Sequence, residues 1–207
     1  MEFTGFEKQD FDLFVIPGLE ERMVKLKDQL RPKFDVLASI LTDDLSILTG
    51  DPMFAHVAKH ARRKTNPPDD SWVAFSSNQR GYKMLPHFQI TLWSTHLLIQ
   101  WGIIYEAKNK EIFAQNMIDN IGGIRNVIPD HFYWNKDHMK PYGEQQSKLS
   151  DQDLINIADR LRNNKNGEIM VGHILDREDA INMDPTEFIN LTKSTWEKLN
   201  ILHKMAF

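Results

Sequence analysis

Between residues 71 and 106, three runs rich in β-branched and aromatic residues follow one another through short links. The runs are 71–77, 87–93 and 95–106. Asn78-Gln79-Arg80-Gly81 supplies turn chemistry after the first, and Ser94-Thr95 is a tight link after the second. Strands joined by such short links pair antiparallel, because a parallel return needs a crossover of a dozen or more residues. An antiparallel meander in the middle of the chain is therefore the constraint that the remaining residues must satisfy.

The flanks read mainly as helix. Over 17–48, Met23, Leu26, Leu30, Phe34, Leu37, Ile40 and Leu41 recur at three- and four-residue spacing on one face. Pro32 falls inside that pattern, removes a backbone donor and clashes with the preceding turn, so it should kink or divide the helix near Leu30-Arg31. Thr49-Gly50-Asp51-Pro52 ends it. A helix over 108–121 should stop at Gly122-Gly123, and 131–135 reads as a short strand. Ser150 and Asp153 form a capping-box signature for a helix reaching about Arg162, and Asn166-Gly167 turns into a strand over 168–175. Asp184-Pro185-Thr186-Glu187 opens a last helix whose apolar face is Phe188, Leu191, Trp196, Leu199 and Leu202. With no repeat, low-complexity tract or evident linker in 207 residues, the expectation is a single α+β domain over 1–207.

The chain has no cysteine, which excludes disulfides, thiolate nucleophiles and Cys-based metal sites. The start lacks the basic and apolar regions of a secretory signal, and the longest apolar run, 97–105, is interrupted by Gln100. A soluble cytoplasmic protein with no membrane partner is the expectation.

Charge is uneven. Residues 52–105 hold Lys59, Arg62, Arg63, Lys64, Arg80 and Lys83 against only Asp69 and Asp70, a balance of +4 in a chain of net charge −4. Four of the eight histidines, His56, His60, His87 and His96, lie there too. A basic, His-rich segment in an acidic chain is the footprint of an anion site. If residues 52–64 are helical, His56, Lys59, His60 and Arg63 share one face, and Arg62 and Arg63 can grip an oxyanion bidentately. Helical spacing of His56 and His60 is also zinc-like. Val57 nevertheless stands where a metallohydrolase needs Glu, and Lys59 and Arg63 would repel the cation, so no metal is expected.

Strand periodicity over 87–93 puts His87, Gln89, Thr91 and Trp93 on one face and Phe88, Ile90 and Leu92 on the other, with Gln100 able to join the first set from the next strand. A ladder of varied hydrogen-bonding groups suits a small-ligand floor. Arg80-Gly81-Tyr82-Lys83 reads either as a solubilising loop tip or as a flap over that floor. His87 and His173 do not carry the hydroxyl residue two positions on that two-histidine phosphoesterases use, since Gln89 and Leu175 stand there. No Ser-His-Asp arrangement, phosphate loop or dinucleotide fingerprint is present, so no cofactor is expected. The interleaved aromatics suggest a stacking surface, but a pI near 6.1 disfavours nucleic acid as the main partner.

FTGFEKQDFDLF near the start, TGDPMFAHVAKHARRKTNPPDDSWVAF at 49–75 and RGYKMLPHFQITLW at 80–93 resemble an uncharacterised bacterial family, the YktB-like proteins. The resemblance covers nearly the whole chain and is most specific between Thr49 and Trp93. It implies a two-layer α+β fold, an antiparallel sheet with helices, similar in outline to the catalytic domain of class II aminoacyl-tRNA synthetases and biotin ligases. The synthetases' ATP-clamping motifs are absent, and fold alone brings no chemistry with it.

Two functions follow from the residues. The first is binding of a small anionic ligand, such as a nucleotide or phosphorylated metabolite. Arg62, Arg63 and Lys83 would neutralise charge, Arg80 would close the site, His87 and Gln89 would line its floor, and His60 would sit near the rim. His87 is the candidate general acid or base of any reaction there. The second is a non-catalytic regulatory module docking an acidic protein or RNA through the basic patch.

Overall fold

A computed structural model describes residues 2–207. Its centre is the meander: β2 (Asp70–Ser76), β3 (His87–Trp93) and β4 (His96–Ile103) pair antiparallel in sequence order. Further strands extend it on both sides: β1 (Phe54–Val57), β5 (Tyr133–Asn135), β6 (Glu144–Gln145) and β7 (Ile169–Asp176). The sheet runs β1-β2-β3-β4-β7-β5-β6, antiparallel throughout. It is the expected α+β class, an antiparallel sheet flanked by helices.

The helices are α1 (Lys8–Asp12), α2 (Leu19–Lys25), α3 (Arg31–Thr49), α4 (Lys110–Asp119), α5 (Ile121–Val127), α6 (Asp151–Asn163), α7 (Arg177–Asn182) and α8 (Pro185–Lys204). α3 and α8 lie against the same face of the sheet. There Phe75, Phe88, Trp101, Val171 and Trp134 form one row across five strands. Trp196 of α8 packs on it, with ring centroids 5.1 Å from Phe75 and 5.6 Å from Phe88.

Local chemistry explains most boundaries. Pro32 interrupts the regular helix where expected: a π-helical turn, Leu26–Leu30, stands between α2 and α3 and accommodates the backbone donor that Pro32 lacks. Gly50, at φ 82°, closes α3 in the left-handed conformation that glycine adopts without strain. Ser150 Oγ accepts from Asp153 N, and the Asp153 carboxylate accepts from Ser150 N, completing the capping box of α6. Asp184 Oδ1 accepts from Thr186 N and Glu187 N at the start of α8.

Two expectations are corrected. Residues 52–64 are not helical: Ala55 and Val57 pair across from Phe75 and Val73, so 54–57 is an edge strand and 58–69 is a loop. His56 is consequently separated from His60, Lys59 and Arg63, and their shared helical face does not exist. Packing of Ala55 and Val57 against the core outweighs the accidental helical spacing of the polar groups. Gly122-Gly123 also does not stop a helix. The break comes earlier, at Asn120, and both glycines lie inside α5.

The face of the sheet away from the helices is covered by three loops, 58–69, 77–86 and 136–143. Arg22 holds the first from outside through the Pro68 carbonyl at 2.8 Å. His56 Nε2 holds the second, donating to the Asn78 carbonyl at 2.9 Å. His96 Nε2 holds the third, donating to the Pro141 carbonyl at 3.0 Å, while its ring stacks on Tyr142 at 4.5 Å.

Candidate functional site

Register fixes the floor beneath those loops. Ala74, Gln89, Gln100 and Gly172 form one cross-strand row, with Trp72 and Thr91 on one side of it and His87, Gly102 and Met170 on the other. This is the polar ladder expected from period two, and Gln100 joins it: Thr91 Oγ1 accepts from Gln89 Nε2 at 2.6 Å and from Gln100 Nε2 at 3.1 Å. Met170 lies across Gly102, where a Cβ would come within 2.1 Å of its Sδ.

A cavity of about 140 Å³ lies between this floor and the loops. Trp72, His87, Gln89, Ile104 and Met170 contribute from the sheet side, and Arg63, Tyr82, Lys83, His138 and Met139 from the loops, with Asp70 at the start of β2. Asp70 pairs with Trp93 and Phe88 with Phe75, so Asp70 and His87 stand at opposite ends of β3. The cavity is accordingly a slot along the β2–β3 pair rather than a bowl. A second, more open groove between α3 and α8 has an Asp44–Lys193 ion pair, 2.5 Å, and an apolar lining of Leu41, Leu45 and Leu48. It holds none of the basic, His-rich segment.

The titratable groups of the slot are pushed in different directions. Burial drives His87 down to about 4, so its ring is neutral. Burial likewise raises the Asp70 carboxyl to about 7, against the opposing pull of His138 and Arg63. His138 goes the other way: its Nδ1 donates to Glu168 at 2.9 Å, which favours the imidazolium, and its backbone N–H donates to the same carboxylate at 2.8 Å. Burial works against the Glu168 carboxylate, and the His138 bonds outweigh it, holding Glu168 below its usual range. Asp137, His138 and Glu168 place donor atoms within 4.8 Å of one another, a spacing that a metal could use. Here Glu168 is taken up by His138, and Asp137 Oδ1 accepts from Met139 N at 3.0 Å. The group acts as a clamp on the 136–143 loop.

Of the expected site residues, Arg63, Lys83, His87 and Gln89 meet in the slot. Lys83 stands at its edge, 3.4 Å from Glu106. Arg62 and Arg80 are exposed and outside it. His60 lies behind the wall: its Nε2 is 3.0 Å from Ser71 Oγ and its ring meets the edge of Trp72 at 5.2 Å. Sequence reasoning missed His138 and Glu168. They are 30 residues apart, on a loop and at the start of a strand, and no periodicity joins them. The only signal was Glu168 standing immediately before an apolar strand, an acid placed where burial is costly.

Among the described residues no helix is long and apolar enough to cross a membrane. The domain of unknown function DUF1054 matches residues 6–203. A UPF0637 protein of Bacillus licheniformis is 44% identical over 206 residues, covering 100% of this chain and 98% of the relative. One from Bacillus velezensis is 46% identical over 201 residues, 97% of this chain and 96% of the relative. One from Bacillus cytotoxicus is 42% identical over 206 residues, 100% and 99%. The resemblance to YktB-like proteins is consistent with these matches, and the chain belongs to the DUF1054 family.

Proposed function

We propose that this protein binds a small anionic ligand in the slot between the polar sheet face and its three loops. The observation that carries this reading is the convergence of Arg63, Lys83 and the Glu168-oriented His138 on a cavity whose one unpaired acid, Asp70, is held toward its neutral form. Two fixed cations, an imidazole biased toward its charged state and a carboxyl able to donate make an environment that favours negative charge.

Size narrows the ligand. Pockets for drug-sized molecules run about 300–1,000 Å³. A slot of about 140 Å³ suits a small phosphorylated or carboxylated metabolite, or the acidic head of a larger one, better than a whole nucleotide. The docking alternative would rest instead on Arg62, Lys64 and Arg80, which stay in solvent outside the slot. Cytoplasmic residence and a single folding unit over 1–207 fit this reading.

A thermal-shift series with inorganic phosphate, small sugar phosphates and dicarboxylates tests it. A ligand at 100 times its Kd adds about 2.7 kcal/mol, or roughly 5–11 °C in a chain of this size. Arg63→Glu with Lys83→Glu should abolish that shift while leaving the unliganded Tm within about 2 °C, since both side chains lie at the rim. A shift retained in full by the double variant would place the anion elsewhere.

A further inference from the structure

His87 has a feature that anion binding alone does not use. The residue is fully buried, at 0% exposure, and lines the slot. Its Nδ1 lies 3.2 Å from the Leu85 carbonyl, a group that can only accept, so Nδ1 carries the ring proton. Nε2 is then a bare acceptor, and it finds no hydrogen-bond partner among the described residues. Its neighbour makes the point stronger. Gln89 is the next residue on the same face of β3, but its Nε2 is committed to Thr91 Oγ1 at 2.6 Å. Gln89 can therefore offer the slot only its oxygen. Two acceptors meet at one end of a slot whose other polar groups are cations, a protonatable acid, the Tyr82 hydroxyl and the Trp72 indole N–H.

Resting on the anion-site reading above, we propose that His87 and Gln89 select ligands that carry a proton donor beside their negative charge. The matching chemistry is a phosphate that keeps one acidic proton, with its O–H directed to His87 Nε2 and its anionic oxygens toward Lys83 on the loop that covers this end of the slot. A fully ionised oxyanion of the same size leaves the two acceptors facing a third. An unpaired buried acceptor costs about 1–3 kcal/mol, and sites built to bond a hydroxyl reject analogues lacking it by large factors. His87 stays in its neutral form throughout the physiological range, because burial holds it far below neutrality. The selection is thus a fixed property of the pocket.

Inorganic phosphate and sulfate are the probes, as tetrahedral anions of nearly equal size that differ in whether they keep a proton at pH 6.5. Calorimetric titration of the wild-type protein at constant ionic strength should give phosphate about 100-fold tighter than sulfate. In the ¹⁵N spectrum of uniformly labelled protein, the His87 Nε2 resonance should move on adding phosphate and stay put with sulfate. His87→Phe keeps the ring volume and removes the acceptor, and should bring the two affinities within about threefold. Equal binding of both anions by the wild-type protein, or phosphate binding with an unmoved Nε2 resonance, overturns the selection while leaving an anion site standing. Binding of neither anion removes both readings. The wild-type comparison and the spectrum decide the matter even if His87→Phe does not fold.

Discussion

The two faces of β3 are buried to nearly the same degree by opposite means. Phe88, Ile90 and Leu92 are fully buried beneath the helix layer, and His87, Gln89 and Thr91 are at most 8% exposed beneath loops. On the helix side, burial stabilises roughly in proportion to the apolar area removed from water. On the loop side it helps only where each polar group finds a partner, since an unpaired one costs free energy. Unpaired atoms occur on both sides, Trp196 Nε1 and His203 Nε2 among the helices, Trp72 Nε1 and His87 Nε2 under the loops. Under the loops, Trp72 and His87 border a cavity with Asp70, Arg63 and His138. One face holds the fold together, and the other leaves polar groups around a cavity.

Acid gives the largest expected effect, and it strikes both faces. Burial, as the leading cause in each case, lowers His60, His87, His96, His173 and His203 to about 4. The unfolded chain titrates these groups near 6.5, so it binds more protons than the folded state between roughly 6.5 and 4. Their contribution is complete above pH 6.5 and is lost as pH falls toward 4, at about 1 kcal/mol per group for each pH unit. Asp70 and His138, whose values are raised, oppose them over part of the window, but burial also lowers His56, so two groups stand against six. Far-ultraviolet circular dichroism should therefore show cooperative acid unfolding with a midpoint between about pH 4 and 6. A protein still fully folded at pH 3.5 would show that the imidazoles titrate without disturbing the structure.

The next effect separates the faces. Trp196 is 2% exposed and packs on Phe75 and Phe88, so Trp196→Ala should cost about 3–5 kcal/mol in urea unfolding. Trp72, on the opposite face of β2, is only half-buried and walls the slot, so Trp72→Ala should cost less than half as much. Comparable losses would mean that the loops carry as much of the fold as the helices do.

This division also marks what could be read from the sequence. Period-two patterning exposed both faces of β3, and short-range chemistry exposed Pro32, Ser150 and Asp184, because each acts on residues within a few positions of itself. The place of β7 between β4 and β5 was not legible, since 66 residues separate Ile103 from its partner Ile169 and no local signal specifies that pairing. The slot failed to appear for the same reason. Arg63 and Lys83 stood out by charge and His87 by alternation, but His138 and Glu168 meet only after β7 is in place. The helix drawn through 52–64 shows the converse error, a spacing of four polar residues that packing of Ala55 and Val57 overrides.

The smallest effect probes the slot itself. Asp70, raised to about 7 by burial, holds a proton in the folded protein that the unfolded chain releases near 3.8. Between these values the folded state binds more protons, so the stability linked to Asp70 is present at low pH and declines as pH rises toward 7. Above pH 7 the folded protein carries an ionised carboxylate in a place that disfavours it. Asp70→Asn removes that burden, which is already net of the attraction of Arg63 and His138. The net expectation is a gain of about 1 kcal/mol at pH 8 that shrinks to nothing below pH 4, read as a difference in urea midpoints at the two pH values. A variant destabilised at pH 8 would mean that Asp70 is held ionised by its neighbours, and a charged carboxylate in the slot would count against the proposed anion site.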